Sequence, residues 1–267
     1  MNQVRAYIRL LRLERAVSAV MGVLLTGVVV KDLTGFNLVY VYDCISVFFS
    51  AIANFVLNDI HDLEIDRSNG RQDRPLAEGD IPRKTAVYLA GASTLIALSF
   101  ALLLPVNPRI LILAGLPISL AYNLHLKRFL IFKNLFTGLA NVGVILVGGL
   151  LVDNHIEPMV YYLALIGFFF SLSYEVMLDI ADVKGDKENG VETIPGRFGV
   201  ANAAWFSVLI GLGAVFANPM PFFIQFDSRL FHDPVFLGLV LVSVVNRLMI
   251  SRELLRDQSP SNVRRLK

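Results

Sequence analysis

The feature that most limits what this chain can become is a series of eight apolar runs, almost free of charge, that take up most of its 267 residues. The longer runs reach the roughly 17–25 residues needed to cross a bilayer as a helix. Inside hydrocarbon every backbone N–H and C=O must be paired within the protein, so only helices and closed barrels span. A barrel alternates apolar and polar residues along short segments, whereas these runs are apolar on both faces. Only 17% of residues are charged, against about 25% in a soluble domain, and mean hydropathy is +0.61. The expectation is an all-α polytopic bundle, integral to the cell membrane.

The runs lie at about 16–30, 38–57, 85–104, 110–124, 129–152, 158–178, 201–217 and 234–250. Residues 1–15 read as a basic amphipathic lead-in at the membrane surface, with no convincing signal-peptide cleavage site. Residues 218–234, rich in Pro and Phe, read as interfacial. Cys44 is a packing residue. If alternate loops share one side, that side holds 21 of the 24 Lys and Arg. The positive-inside rule makes it cytoplasmic, together with the N-terminus.

Two stretches at the ends of the second and sixth runs match at an offset of 120 residues. One reads D-I-H-D-L-E-I-D-R-S-N-G from Asp59, the other D-I-A-D-V-K-G-D-K-E-N-G from Asp179, and Pro75 and Pro195 keep the register. The chain thus reads as one domain over residues 1–267, built from two four-helix halves, about 1–128 and 129–267. Carboxylates at i, i+3 and i+7 fall on one helix face. They sit at helix C-termini, where negative charge is unfavourable by about 0.3–1 kcal/mol per group, so something positive must offset them. Carboxylate oxygens suit hard cations, and Mg2+ takes one or two carboxylates, several waters and phosphate oxygens. Paired triads therefore read as a cradle for Mg2+ and a diphosphate, with Arg67, Arg71, Arg74, Lys184 and Lys127 as phosphate contacts. Glu64, Glu188, Asp73, Glu78 and Asp80 read as surface charge and His61 as a spacer. His125, His155 and His232 share no metal-site spacing.

Asn58-Asp59-x-x-Asp62-x-x-x-Asp66, the later Asp179-x-x-Asp182-x-x-x-Asp186 and the Tyr122…Lys127-Arg128 loop resemble the UbiA superfamily of intramembrane prenyltransferases over essentially the whole chain. The resemblance implies a helical bundle around a central cavity, capped on the cytoplasmic side by the two Asp-rich loops. It implies Mg2+-dependent transfer of an isoprenyl chain from its diphosphate to a lipophilic acceptor. Asn58, Asp62 and Asp66 would serve one metal and Asp182 and Asp186 another, with Asp59 and Asp179 in support. Lys127, Arg128, Arg67 and Arg74 would contact the diphosphate, and Tyr122 would line the cavity. The second stretch is more similar to the branches that act on geranylgeranyl diphosphate than to the hydroxybenzoate branch, and the sequence most resembles the archaeal branch that alkylates geranylgeranylglyceryl phosphate in ether-lipid synthesis. Partners are then isoprenyl diphosphate, acceptor and bilayer, with no nucleic acid.

Two features depart from the family. Its members usually have nine spans against the eight counted, and Asn262–Lys267 reads as the approach to a ninth. No Asn stands in Leu13–Val17, where members often carry one on the acceptor side. An allylic cation formed on C–O cleavage would be sheltered by aromatic residues, with Phe48, Phe49, Phe55, Tyr122 and Tyr174 as candidates. Other readings are prenylation of an aromatic quinone precursor or a chlorin, and an ion-coupled transporter. Coupling carboxylates usually sit near the membrane midplane, but these cluster at run ends, with Glu175 the nearest exception.

Overall fold

The computed structural model describes residues 3–29, 38–68, 70–71, 73–124, 126, 129–130, 132–151 and 155–266. Among them there is helix and no strand. All eight runs are helices: α2 (Leu13–Val29), α3 (Leu38–His61), α6 (Arg83–Ala101), α7 (Val106–Leu124), α8 (Phe132–Gly149), α9 (Pro158–Glu188), α11 (Val200–Ala217) and α13 (Pro234–Arg256). Six described helices are long and apolar enough to cross a membrane. The other two are α2, with 17 residues, and α7, which carries Asn107, Arg109 and an internal Pro117. The chain divides into two compact units: Met1–Leu126 with Gly143–Val160, and Lys127–Val142 with Tyr161–Lys267.

In the first unit, α1 (Gln3–Leu11) buries Ala6 and Leu10. The packing of α3 on α6 depends on small residues: Ala86, Ala90, Ala97 and Ala101 are each at most 2% exposed, which lets the helix backbones approach. Ser46 Oγ donates to the Ala97 carbonyl across this interface at 3.0 Å. Asn54 on α3 accepts from Ser119 Oγ and from Asn123 Nδ2 of α7. The segment between the second and third apolar runs carries α4 (Leu63–Ser68) and α5 (Pro75–Glu78). Asp43 corrects the reading of Glu175 as the nearest charge within a run. It lies inside α3, fully buried, with neither oxygen hydrogen-bonded.

The second unit is organised on α9. Its 31 residues make about 46 Å of helix at 1.5 Å per residue, against about 30 Å of hydrocarbon. The helix therefore continues past the expected end at Leu178 and carries the second acidic stretch beyond the apolar segment. Ser173 of α9 and Ser207 of α11 each donate to the other's carbonyl, at 2.6 and 2.7 Å. Arg247, one of the 21 basic residues that the sequence count places on the cytoplasmic side, is buried on α13. It donates to Ser173 Oγ over Gly211, where a Cβ would stand 2.7 Å from the guanidinium. Between α11 and α13, α12 (Met220–Phe223) and the stacked Phe231–His232 pair fill the Pro- and Phe-rich segment. Asp233 caps α13 by accepting from Val235 N and Phe236 N, with Pro234 in the first turn.

Candidate active site

The two acidic stretches end in the same turn, built twice. Arg71 N donates to Asp66 O at 3.0 Å, and Val191 N to Asp186 O at 2.9 Å. Gly70 N reaches Arg67 O, and Gly190 N reaches Lys187 O. Both glycines are left-handed, at φ 59° and 69°, the conformation that closes a helix C-terminus and favours Gly. The correspondence extends past the sequence motif. Pro75 opens α5, and Pro195 lies in the first turn of α10 (Ile194–Phe198). Each short helix then ends on a glycine of positive φ, although only Gly79 (φ 81°, ψ 8°) is left-handed helical, Gly199 standing at φ 89° and ψ 153°.

Upstream of the turn the two stretches differ. In the first, α3 stops at His61, the chain bends at Asp62, and α4 resumes at Leu63. The bend keeps Asp62 N on Asn58 O at 2.9 Å and Asp66 N on Asp62 O at 2.8 Å. His61 Nδ1 lies 2.7 Å from the Leu57 carbonyl, in keeping with a spacer. Asp59 is 2% exposed, and one of its oxygens, Oδ1, takes both Arg12 and Arg74, each at 2.5 Å. Its Oδ2 is buried and has no hydrogen-bond partner. Arg74 Nε stands 3.6 Å from Asp66 Oδ2. Burial, reinforced by the Asp62 charge, pushes the Asp66 carboxyl up to about 7.

In the second stretch α9 runs through all three carboxylates. Lys133 Nζ bridges Asp179 Oδ1 at 2.8 Å and Asp186 Oδ2 at 2.9 Å. Asn134 Nδ2 donates to the other Asp179 oxygen at 2.8 Å. Arg264, from α14 (Pro260–Arg265), stands 3.3 Å from Asp182 Oδ1. Lys184 is exposed.

Of the other expected site residues, Asn58 is half-buried beside Asp59, and Tyr122 is half-buried near the end of α7. Arg67 is exposed and 3.3 Å from Glu64, and Arg71 pairs with Asp73. Lys127 and Arg128 lie outside the described residues. Phe48 and Phe49 pack edge to face, and Tyr174 joins the core of the second unit. Phe55 carries the Arg12 guanidinium 5.2 Å from its ring centroid, so a cation already faces it. Sequence reasoning missed Arg12, Lys133, Asn134 and Arg264 as partners of the motif carboxylates. A signal was present for two of them. Arg12 immediately precedes α2 and Lys133 lies in the first turn of α8, each one helix ahead of an acid-ended helix, and they are 121 residues apart.

Among the described residues no three carboxylate, imidazole or thiolate side chains converge to cage an ion. The donor set still fits Mg2+. It is all oxygen, Asp59 Oδ2 is an unmet buried acceptor, and Mg2+ asks for only one or two carboxylates beside water and phosphate.

The sequence profile of the UbiA prenyltransferase family matches residues 16–267. The chain belongs to the UbiA prenyltransferase family. It is an integral membrane protein and, as a family member, a prenyltransferase. A digeranylgeranylglyceryl phosphate synthase of Sulfolobus acidocaldarius is 29% identical over 233 residues, 84% of this chain and 80% of that protein. The apo structure of a UbiA homolog from Aeropyrum pernix K1 superposes with a TM-score of 0.76 at 18% identity, covering 95% of this chain and 93% of the other. A UbiA homolog from Archaeoglobus fulgidus bound to DMAPP and Mg2+ gives 0.69 at 20%, covering 92% and 87%. At such identities the structural likeness speaks for the UbiA fold alone.

Proposed function

We propose that this UbiA prenyltransferase catalyses Mg2+-dependent transfer of a geranylgeranyl group from its diphosphate to geranylgeranylglyceryl phosphate. The observation that carries the reading is the twice-built acidic turn at the ends of α3 and α9. The acceptor is supported by the name of the Sulfolobus acidocaldarius relative. The metal is supported by the oxygen donor set and by the Archaeoglobus fulgidus homolog bound to Mg2+.

On this reading Asn58, Asp62 and Asp66, with Asp59 behind them, hold Mg2+. Asp182 and Asp186, with Asp179, take the corresponding part in gathering positive charge against the diphosphate. Arg67, Arg74, Lys127, Arg128 and Lys184 contact the diphosphate, and Tyr122 faces the allylic carbon. When bound, Mg2+ supplies Lewis-acid stabilisation of the leaving group. The bond from the allylic carbon to the diphosphate oxygen breaks with its electron pair on the diphosphate. The acceptor hydroxyl oxygen then bonds to that carbon and loses its proton. The positive charges act by position and electrostatics. On this reading both acidic stretches and the N-terminus lie on the cytoplasmic side of the cell membrane, an orientation that the basic-residue asymmetry supports.

The test is an assay of the purified chain in nanodiscs. Labelled geranylgeranyl diphosphate is offered with geranylgeranylglyceryl phosphate or with 4-hydroxybenzoate, with and without Mg2+. Transfer to the glycerol phosphate that stops on chelation is expected. Transfer only to the aromatic acid would overturn the acceptor, and metal-independent transfer would overturn the role of Mg2+.

A further inference from the structure

Lys133 occupies the place in the second acidic cluster where a divalent cation would be sought. Its Nζ sits within 2.9 Å of the first and third carboxylates of the motif. A metal ion bridging the same oxygens would need them at about 2.0–2.1 Å, which the ammonium excludes. The remaining Asp179 oxygen is taken by Asn134, and Arg264 faces Asp182. The first cluster is neutralised in another way. Arg12 and Arg74 share a single oxygen of Asp59, and the other oxygen stays buried and unpartnered. Arg74 does not close the Asp59–Asp66 pair as Lys133 closes Asp179–Asp186, because its Nε is 3.6 Å from Asp66 and makes no hydrogen bond.

We propose that Lys133 is a built-in cation that closes the second acidic cluster to divalent metal, so that this chain holds one tightly bound Mg2+, at the first cluster, and uses an ammonium at the second. The inference rests on the reading of the chain as a Mg2+-dependent prenyltransferase and specifies how its two acidic stretches divide the work. Lys133 is a positioning residue in this account. It holds Asp179 and Asp186 on one face of α9 and gives the cluster a fixed positive charge.

The test counts Mn2+ ions, as a probe for Mg2+, on the full chain in detergent. The signal of free Mn2+ is followed by electron paramagnetic resonance, with one equivalent of the slowly ionising analogue geranylgeranyl S-thiolodiphosphate. The wild type binds one tight ion. Lys133→Gln binds two, the second at least about tenfold tighter than any second ion of the wild type, as removal of a unit charge a few ångströms away requires. Lys133→Arg keeps the charge and binds one. Asp62→Asn removes the wild-type ion, and Asp186→Asn leaves it in place. Two equally tight ions on the wild type, or a single ion on Lys133→Gln, would overturn the inference and leave the Mg2+ reading standing. No ion on the wild type, or one that survives Asp62→Asn, would overturn both. If Lys133→Gln does not fold, the wild-type count with the two Asp variants decides the matter alone.

Discussion

The ends of α3 and α9 carry the same motif and close in the same turn, yet they are neutralised by different means. The first is bent at Asp62 and held by two arginines on one oxygen of Asp59. The second is an unbroken helix held by one lysine bridging two carboxylates, with an asparagine behind. The shared part is local, since the hydrogen bonds of the turn and the left-handed glycines depend on residues within the motif. The differing part is tertiary, because each cation comes from another helix or its flank. A repeated motif therefore fixes the backbone of both clusters while leaving their charge balance to distant segments.

The largest expected effect separates the single lysine from the paired arginines. Lys133→Met leaves two carboxylates without their shared cation. Breaking a buried pair costs about 3–5 kcal/mol, and thermal unfolding in detergent without divalent metal should report a loss of that order. Arg12→Met should cost clearly less, because Arg74 remains on the same Asp59 oxygen. Equal losses would erase the distinction between the clusters.

Asn134→Leu should give the second cluster the orphan oxygen that the first already has. Leaving one buried acceptor unsatisfied costs about 1–3 kcal/mol, read as a lower unfolding temperature, and an unchanged temperature would mean that Asp179 Oδ2 is hydrated. The smallest effects test what the clusters share. A Cβ on Gly70 or Gly190 meets nothing within 4 Å, so Gly70→Ala and Gly190→Ala should each lose only the left-handed backbone preference, about 1–2 kcal/mol. Unequal losses would mean that the two turns are not equivalent in solution.

Much of this was legible in the sequence because the causes are local. The bilayer demands long apolar helices, and all eight runs fold as helices, six of them long and apolar enough to cross. The N-G pair at the end of each motif marks a left-handed glycine. Three things were not legible. The bend at Asp62 falls next to His61, which turns its ring to the Leu57 carbonyl, where the second motif has Ala181. The pairing of Arg12, Lys133 and Arg264 with the motif carboxylates is tertiary, and although Arg12 and Lys133 nearly keep the repeat offset, nothing in the sequence says which carboxylates they meet. Asp43 went unremarked inside an apolar run, because composition cannot tell a lipid-facing position from one sealed in the core.

The central claim is that both acidic stretches serve one Mg2+-dependent transfer. The most direct measurement compares the rate of geranylgeranyl transfer by the wild type, Asp62→Asn and Asp186→Asn in nanodiscs, each checked for folding. Loss of an electrostatic group acting on the leaving diphosphate should lower the rate by about 100-fold or more in both variants. Wild-type transfer by either variant would contradict the claim for that stretch.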